Sequence, residues 1–298
     1  MTPSFEGLIL KGVGGFYTVL SPDGPVVCRP RGRFRREGIK PLPGDRVVCL
    51  RLSDDTGRLD EIGPRKNVFD RPPVANLDLL LIVVSQAIPQ SDPFLIDRMT
   101  ALAARKGLGA AVCVNKIDLA PAEDMARLYT DAGYPTVRVS ARSGDGFDRL
   151  RTVIAGQVVA LVGNSGVGKS SLLNRLCPNL SLATAEVSLK GGRGRHTTRH
   201  VELLPMADGA WAADTPGFSL FDEEGLDCPA EEMDTLFPEF QPHLGLCRFT
   251  GCRHTGVVGC AVETAVLRGE IAPSRWESYK RLYDSASKRR AWERNGHG

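Results

Sequence analysis

No run of about 18 consecutive apolar residues occurs in this 298-residue chain, so a membrane-spanning helix is not expected. The longest aliphatic stretch, Leu77 to Ser85, is interrupted by Asp78 and reads as a buried strand. The opening MTPSFEGLIL lacks a basic segment leading into an apolar core. No secretory signal is therefore visible, and a cytoplasmic address is expected. Net charge is scarce too: at +3 it implies no partner by itself. Internal repeats and low-complexity segments are missing. What remains, 42% hydrophobic and 24% charged residues, is the composition of an ordinary globular protein. The length suits two or three domains of roughly 100–200 residues.

The little charge there is lies unevenly. Arg29, Arg31, Arg33, Arg35 and Arg36 crowd one short segment, and Lys288, Arg289 and Arg290 lie near the C-terminus. Local basic clusters on a nearly neutral chain point to an anionic partner such as RNA; solvated surface arginines are the plainer alternative. Of the eight cysteines, Cys28, Cys49, Cys113, Cys177 and Cys228 are scattered and are expected to pack as small hydrophobes. Cys247, Cys252 and Cys260 gather around His254, which in a reducing compartment reads as metal binding before disulfide.

Residues 1–70 show short β-like runs, Phe16 to Leu20, Val26 to Arg29 and Arg46 to Arg51, with turns at Pro22-Asp23-Gly24 and Pro43-Gly44-Asp45. No useful helical periodicity appears, so a small antiparallel barrel is expected, OB-like first and SH3-like as the alternative. From residue 71 to 222, aliphatic strands alternate with helical segments. Strands are expected at 79–84, 110–114, 136–139, 158–162, 201–204 and 211–213, with helices at 93–106, 121–132 and 169–176. That alternation means an α/β sheet wound on both faces. Residues 223–298 read as helices around the Cys/His cluster, ending in a basic stretch from Ser274 to Asn295.

Gly163-Asn164-Ser165-Gly166-Val167-Gly168-Lys169-Ser170 matches the eight-residue P-loop pattern, with a strand before it and the helix-forming SSLLNRL, which includes Ser171, after it. Glycines let backbone N–H groups turn inward around phosphates, and the following helix N-terminus adds positive character. Lys169 would reach the β- and γ-phosphates, and the Ser170 hydroxyl would ligate Mg²⁺. Asn115-Lys116-Ile117-Asp118 follows a strand and chooses the base. Its carboxylate can accept from guanine N1–H and the exocyclic amine; adenine offers no such pair. The lysine stem would lie over the base, and Ser140-Ala141 would add a backbone contact to the guanine oxygen. Asp214, leading DTPG, would hold Mg²⁺ through water, and the Gly217 amide would sense the γ-phosphate. Thr197 and Thr198, in GRGRHTTRH, are candidates for the metal.

The order of these motifs is rotated relative to ordinary small GTPases: NKID first, Ser140-Ala141 second, P-loop third. A circularly permuted chain builds the same sheet, because termini lie at the surface and often close together. The glutamine that commonly follows DxxG is replaced by Phe218, which neither donates nor accepts a hydrogen bond. The attacking water must then be positioned from elsewhere, with His196 as the candidate, and slow intrinsic turnover is expected.

The spacing Cys247-x4-Cys252-x-His254-x5-Cys260 offers a full tetrahedral donor set for one structural zinc. The permuted order, NSGVGKSSLLN, GRGRHTTRH, DTPGFS and the closing Cys/His cluster together resemble the bacterial ribosome small-subunit-dependent GTPase A family (RsgA-type) over nearly the whole chain. The family usually has Pro-Gly before the last cysteine; Val258-Gly259 stands here. The resemblance implies an OB-fold, a permuted GTPase core and a zinc module. It also implies GTP hydrolysis stimulated by the 30S subunit late in its maturation, contact with 16S rRNA and a monomeric state. Two other classes compete: a nucleotide-regulated RNA-binding module with negligible turnover, and an ATP-dependent P-loop kinase or metabolic enzyme, against which Asp118 argues.

Overall fold

In the computed structural model, alternating apolar positions roll the first sixty residues into a closed barrel. Its strands are β1 (Ser4–Val13), β2 (Phe16–Ser21), β3 (Gly24–Pro30), β4 (Arg46–Arg51) and β5 (Thr56–Ile62). They pair in the order β1–β2–β3–β5–β4, and β4 returns to β1. Only β3 and β5 run parallel. That closed five-strand arrangement is of the OB type, which settles the choice against an SH3-like barrel. Ile9, Val19, Cys28, Cys49 and Leu59 face inward and are fully buried. Within the barrel region one helix was not expected: α1 (Gly32–Arg36), between β3 and β4, plugs the barrel with Phe34. Five residues make less than two turns, too few for a 3.6-residue period to show.

The structure describes residues 4–53, 55–70, 72–177, 201–214 and 226–295. Two compact units divide the chain: Met1–Leu79, Ile154–Val162 and Lys169–Phe221 form the first, and Leu80–Val153, Gly163–Gly168 and Asp222–Gly298 the second.

In the first unit, a short hairpin of β6 (Val68–Asp70) and β7 (Pro73–Ala75) follows the barrel. The barrel's β1 also pairs antiparallel with β12 (Glu202–Pro205) at Lys11 and Glu202, whose side chains form an ion pair of 2.8 Å. Beyond β12 lie β13 (Trp211–Asp214) and then β11 (Val158–Val162), the last two parallel. All five residues of β11 are buried, and helix α5 (Lys169–Leu176) follows it in the chain. Fully buried Asp45 takes both its oxygens to the Arg65 guanidinium at 2.7 and 2.8 Å, which offsets the cost of its desolvation.

In the second unit, β10 (Thr136–Arg138), β9 (Gly109–Asn115) and β8 (Leu79–Ser85) are neighbours, with β9 and β10 parallel. Every residue of β8 is buried, as its unbroken aliphatic run requires. Around these strands lie α2 (Pro93–Arg105), α3 (Glu123–Asp131) and α4 (Phe147–Ile154). Asp92 caps α2 by accepting from the Phe94 amide at 2.9 Å, and Pro93 takes the first helical position. The C-terminal region differs from the expectation of plain helices. Ala230–Leu236 and Pro238–His243 are 3₁₀ segments, and among the described residues there only α6 (Ala261–Leu267) and α7 (Pro273–Asn295) are α-helical. Helix α7 is bolted to α2 by Arg275, which is wholly buried. Its guanidinium meets Asp97 at 2.7 Å and Glu239 at 2.6 Å and lies over the Phe237 ring at 4.8 Å. Burial opposes the charge, but the two carboxylates outweigh it and raise the Arg275 pKa.

All five scattered cysteines are buried, as expected of small hydrophobes. Among the described residues no helix is long and apolar enough to cross a membrane.

Candidate nucleotide site and metal centre

Three loops meet at one side chain. Asn115 ends β9 and is 2% exposed. Its Nδ2 donates to the Val167 carbonyl at 2.9 Å, and its Oδ1 accepts from the Ala141 amide at 3.0 Å. One partner is an obligate acceptor and the other an obligate donor, so the amide orientation is unambiguous. The NKID loop, the Ser140-Ala141 loop and the glycine-rich loop are thereby tied together. Gly168 shows how closely: a Cβ there would collide with Asn115 Nδ2.

Asp118 is exposed, yet it does not hang free. Ser140, fully buried, donates its hydroxyl to Asp118 Oδ1 at 2.6 Å and accepts from the Ser143 amide at 3.1 Å. A carboxylate pre-aimed in this way loses less freedom on engaging two donors of a base. Lys116 adopts φ 64°, uncommon for lysine, and its ammonium donates to the Ile88 carbonyl at 3.2 Å. Its head is therefore anchored on the loop after β8. In the glycine-rich loop Val167 is buried while Ser165 and Gly166 are exposed. Gly163, Gly166 and Gly168 all have positive φ, as a loop that turns its amides inward requires. Lys169 and Ser170 open α5, with Ser171 next, all half-buried.

His196, Thr197, Thr198, Gly217 and Phe218 lie outside the described residues. Asp214 is the last residue of β13.

The four expected metal donors converge. The Sγ atoms of Cys247, Cys252 and Cys260 and a ring nitrogen of His254 lie within 4.8 Å of one another. His254 Nδ1 is 3.5 Å from Cys247 Sγ and 3.4 Å from Cys260 Sγ. Ligand pairs around a tetrahedral zinc, with bonds of about 2.0–2.3 Å, stand about 3.3–3.8 Å apart. Both His–Cys separations fall in that range, so the set suits zinc with Nδ1 as the imidazole ligand. The opposite nitrogen, Nε2, faces Asp234 at 3.3 Å, and that contact raises the His254 pKa. A carboxylate behind the imidazole fixes its tautomer and orientation. Burial pushes the Cys260 thiol up to about 12, so its deprotonation calls for a cation among the sulfurs. From α7, Trp276 Nε1 donates to the His254 carbonyl and the Tyr279 hydroxyl to the Arg253 carbonyl, each at 2.7 Å. Sequence reasoning missed Asp234, Arg275, Trp276 and Tyr279. Asp234 is twenty positions from His254, and no local spacing marks it.

The basic clusters are only partly available to a partner. Asp60 gathers Arg58 at 2.8 Å, Arg31 at 3.1 Å and, through its carbonyl, Arg33. Its hydrogen bond from Arg58, helped by the charges of Arg31 and Arg33, holds its carboxyl below the ordinary range. Arg35 and Arg36 are exposed on α1, and the exposed Arg29 guanidinium stacks 4.3 Å from the Phe16 ring centroid. Arg289 donates to the Leu226 carbonyl at 2.6 Å.

A P-loop, an NKID loop and a Ser-Ala loop, joined through one asparagine and carried in permuted order on an α/β sheet, define a circularly permuted GTPase. Comparison with known proteins makes the assignment particular. The chain belongs to the RsgA GTPase family: the family's GTPase model matches residues 62–224, and the RsgA N-terminal domain matches residues 6–58. Among curated relatives, the small ribosomal subunit biogenesis GTPase RsgA of Ruminiclostridium cellulolyticum is 41% identical over 285 residues, covering 93% of this chain and 92% of the relative. That of Moorella thermoacetica is 43% identical over 279 residues, covering 92% and 94%. The crystal structure of YloQ, a circularly permuted GTPase, superposes with a TM-score of 0.81 at 33% identity, covering 96% of each chain. YjeQ from Thermotoga maritima gives 0.79 at 31% identity, covering 95% of this chain and 99% of that one. The chain is accordingly a GTP hydrolase.

Proposed function

We propose that the chain hydrolyses GTP to GDP and phosphate while acting on the small ribosomal (30S) subunit late in its maturation, and that the subunit accelerates the reaction. The names of the relatives support the subunit as partner. The observation that carries the nucleotide assignment is Asn115, whose side chain joins the base-reading and phosphate-cradling loops. Three functional parts follow: a barrel at 1–70 that meets 16S rRNA, a GTPase core at 71–222, and a zinc module at 223–298 that offers a second contact to the subunit. The chain acts as a monomer in the cytoplasm.

Asp118, held by Ser140, accepts the two guanine donors. Lys116 lies along the base, and Ser140-Ala141 borders the guanine oxygen. Backbone amides of Gly163 to Gly168 surround the phosphates, and Lys169 offsets charge on the β- and γ-phosphates. Ser170 and Asp214 would hold Mg²⁺, which would supply charge neutralisation for the phosphates. Thr197 or Thr198 and Gly217 report the γ-phosphate. Phe218 leaves the attacking water without a side-chain partner at that position, so His196 or the subunit supplies one. Cys247, Cys252, His254 and Cys260 would hold one zinc with no open position, which makes it structural.

Binding of the chain to isolated small subunits, measured with GDP and with a non-hydrolysable GTP analogue at several salt concentrations, tests this reading. The GTP form should bind more tightly, and affinity should fall with salt as phosphate contacts release counterions. Neutralising Arg29, Arg35 and Arg36 should flatten the salt dependence. Equal affinity in both nucleotide states would end the proposal.

A further inference from the structure

Between β8 and α2 the chain passes through Gln86, Ala87, Ile88, Pro89 and Gln90, a loop held by its own hydrogen bonds. The Ser85 amide donates to the Ser91 hydroxyl at 3.0 Å, and the Ser91 amide to the Ser85 carbonyl at 2.9 Å. The Ala87 amide donates to the Ser85 hydroxyl at 3.0 Å. With both ends pinned, the tip projects outward, and Ile88 is 91% exposed.

Two contacts from this tip go to the nucleotide loops. The Lys116 ammonium donates to the Ile88 carbonyl. The Pro89 ring stands over Gly166, where an added Cβ would meet Cγ at 3.1 Å and Cδ at 3.2 Å. Neither base reading nor phosphate binding explains these contacts.

The glycine-rich loop has a problem that such a wall would solve. Gly166 sits at φ +83° and carries no side chain with which to pack itself. A glycine turn has many competing conformations, and holding amides inward costs more entropy there than elsewhere. Asn115 grips the loop from its buried side through the Val167 carbonyl. Pro89 stands at the adjoining, exposed turn, and its rigid ring loses little freedom in doing so.

We propose that Pro89 is a positioning residue of the nucleotide site. Its ring buttresses the central turn of the phosphate loop at Gly166, while the same loop takes the Lys116 ammonium. A third loop thereby sets the base-reading and phosphate-cradling loops against each other. This rests on the assignment of those two loops to GTP.

The test is a pair of substitutions in the full-length, zinc-loaded chain, read by stopped-flow dissociation of fluorescent GDP and GTP analogues. Pro89→Ala removes Cγ and Cδ and should speed dissociation of both nucleotides roughly tenfold, less than the hundredfold that a displacement of about 1 Å can cost. The melting temperature of the nucleotide-free protein should stay unchanged. Gly166→Ala should bind far more weakly, and the double variant should recover part of that loss because the colliding atoms are gone. Unchanged dissociation in Pro89→Ala would overturn the proposal. So would additive losses in the double variant, or a fall in nucleotide-free stability that accounts for the effect. Failure of the wild-type chain to bind GTP would instead overturn the nucleotide assignment itself.

Discussion

At the scale of single residues, the proposed base choice rests on Asp118 and what holds it. Ser140 donates to one of its oxygens. Asp118→Asn replaces one acceptor by a donor, so GTP affinity should fall and xanthosine triphosphate, with oxygen at the 2-position, should become the better ligand. Competition binding of the two nucleotides checks this; unchanged GTP preference would mean the loop does not read the base. The metal centre has a comparable support. Asp234→Asn keeps the size of the side chain but removes the carboxylate facing His254 Nε2. Zinc affinity should fall about 10- to 100-fold, the usual consequence of losing a carboxylate behind an imidazole ligand. Chelator competition measures it, and an unchanged affinity would remove Asp234 from the site. The convergence of the four Cys/His donors was legible in the sequence because their spacing is short and their chemistry distinctive. Asp234 and Ser140's grip on Asp118 were not, because partners brought together by folding leave no local pattern.

Among the elements, the long apolar ones were easiest to read. β8, β9 and β11 are continuous aliphatic runs, and the structure has strands at all three. α1 and α4 were missed: each is too short for its periodicity to stand out. The segments at 230–243 were read as helices but are 3₁₀, with Pro238 and Pro242 interrupting the supply of amide donors. The bolt between α2 and α7 was invisible as well. Arg275, in a basic stretch that reads as solvent-facing, is among the most buried side chains in the protein. Arg275→Met would leave Asp97 and Glu239 buried without their cation, a loss of about 3–5 kcal/mol when one partner of a buried pair is removed. Chemical denaturation should show it, and Arg275→Met with Asp97→Leu should recover part of the loss. A loss below about 1 kcal/mol, as for an exposed ion pair, would mean the network is not the bolt it resembles.

For the whole molecule, the permuted order has a direct consequence. In sequence the Cys/His region follows directly on the DTPG segment that opens at Asp214, so under the proposed assignment an event at the γ-phosphate has a short covalent path to it. If the small subunit prefers the GTP form, it must tighten GTP binding relative to GDP by the same factor. Asp60 engages Arg31 and Arg33, so in the proposed account the salt-dependent contact is assigned to the exposed Arg29, Arg35 and Arg36. With Phe218 in place of glutamine, the free chain lacks a water-positioning side chain at that position, and the partner is expected to complete the site. Phosphate release from GTP, followed with the chain alone, with small subunits and with large subunits, is the most direct measurement of all this. We expect slow release alone, an acceleration of at least roughly tenfold by the small subunit, as for GTPases completed in trans, and none by the large. Equal rates in all three, or equal acceleration by both subunits, would contradict a GTPase completed by the small ribosomal subunit.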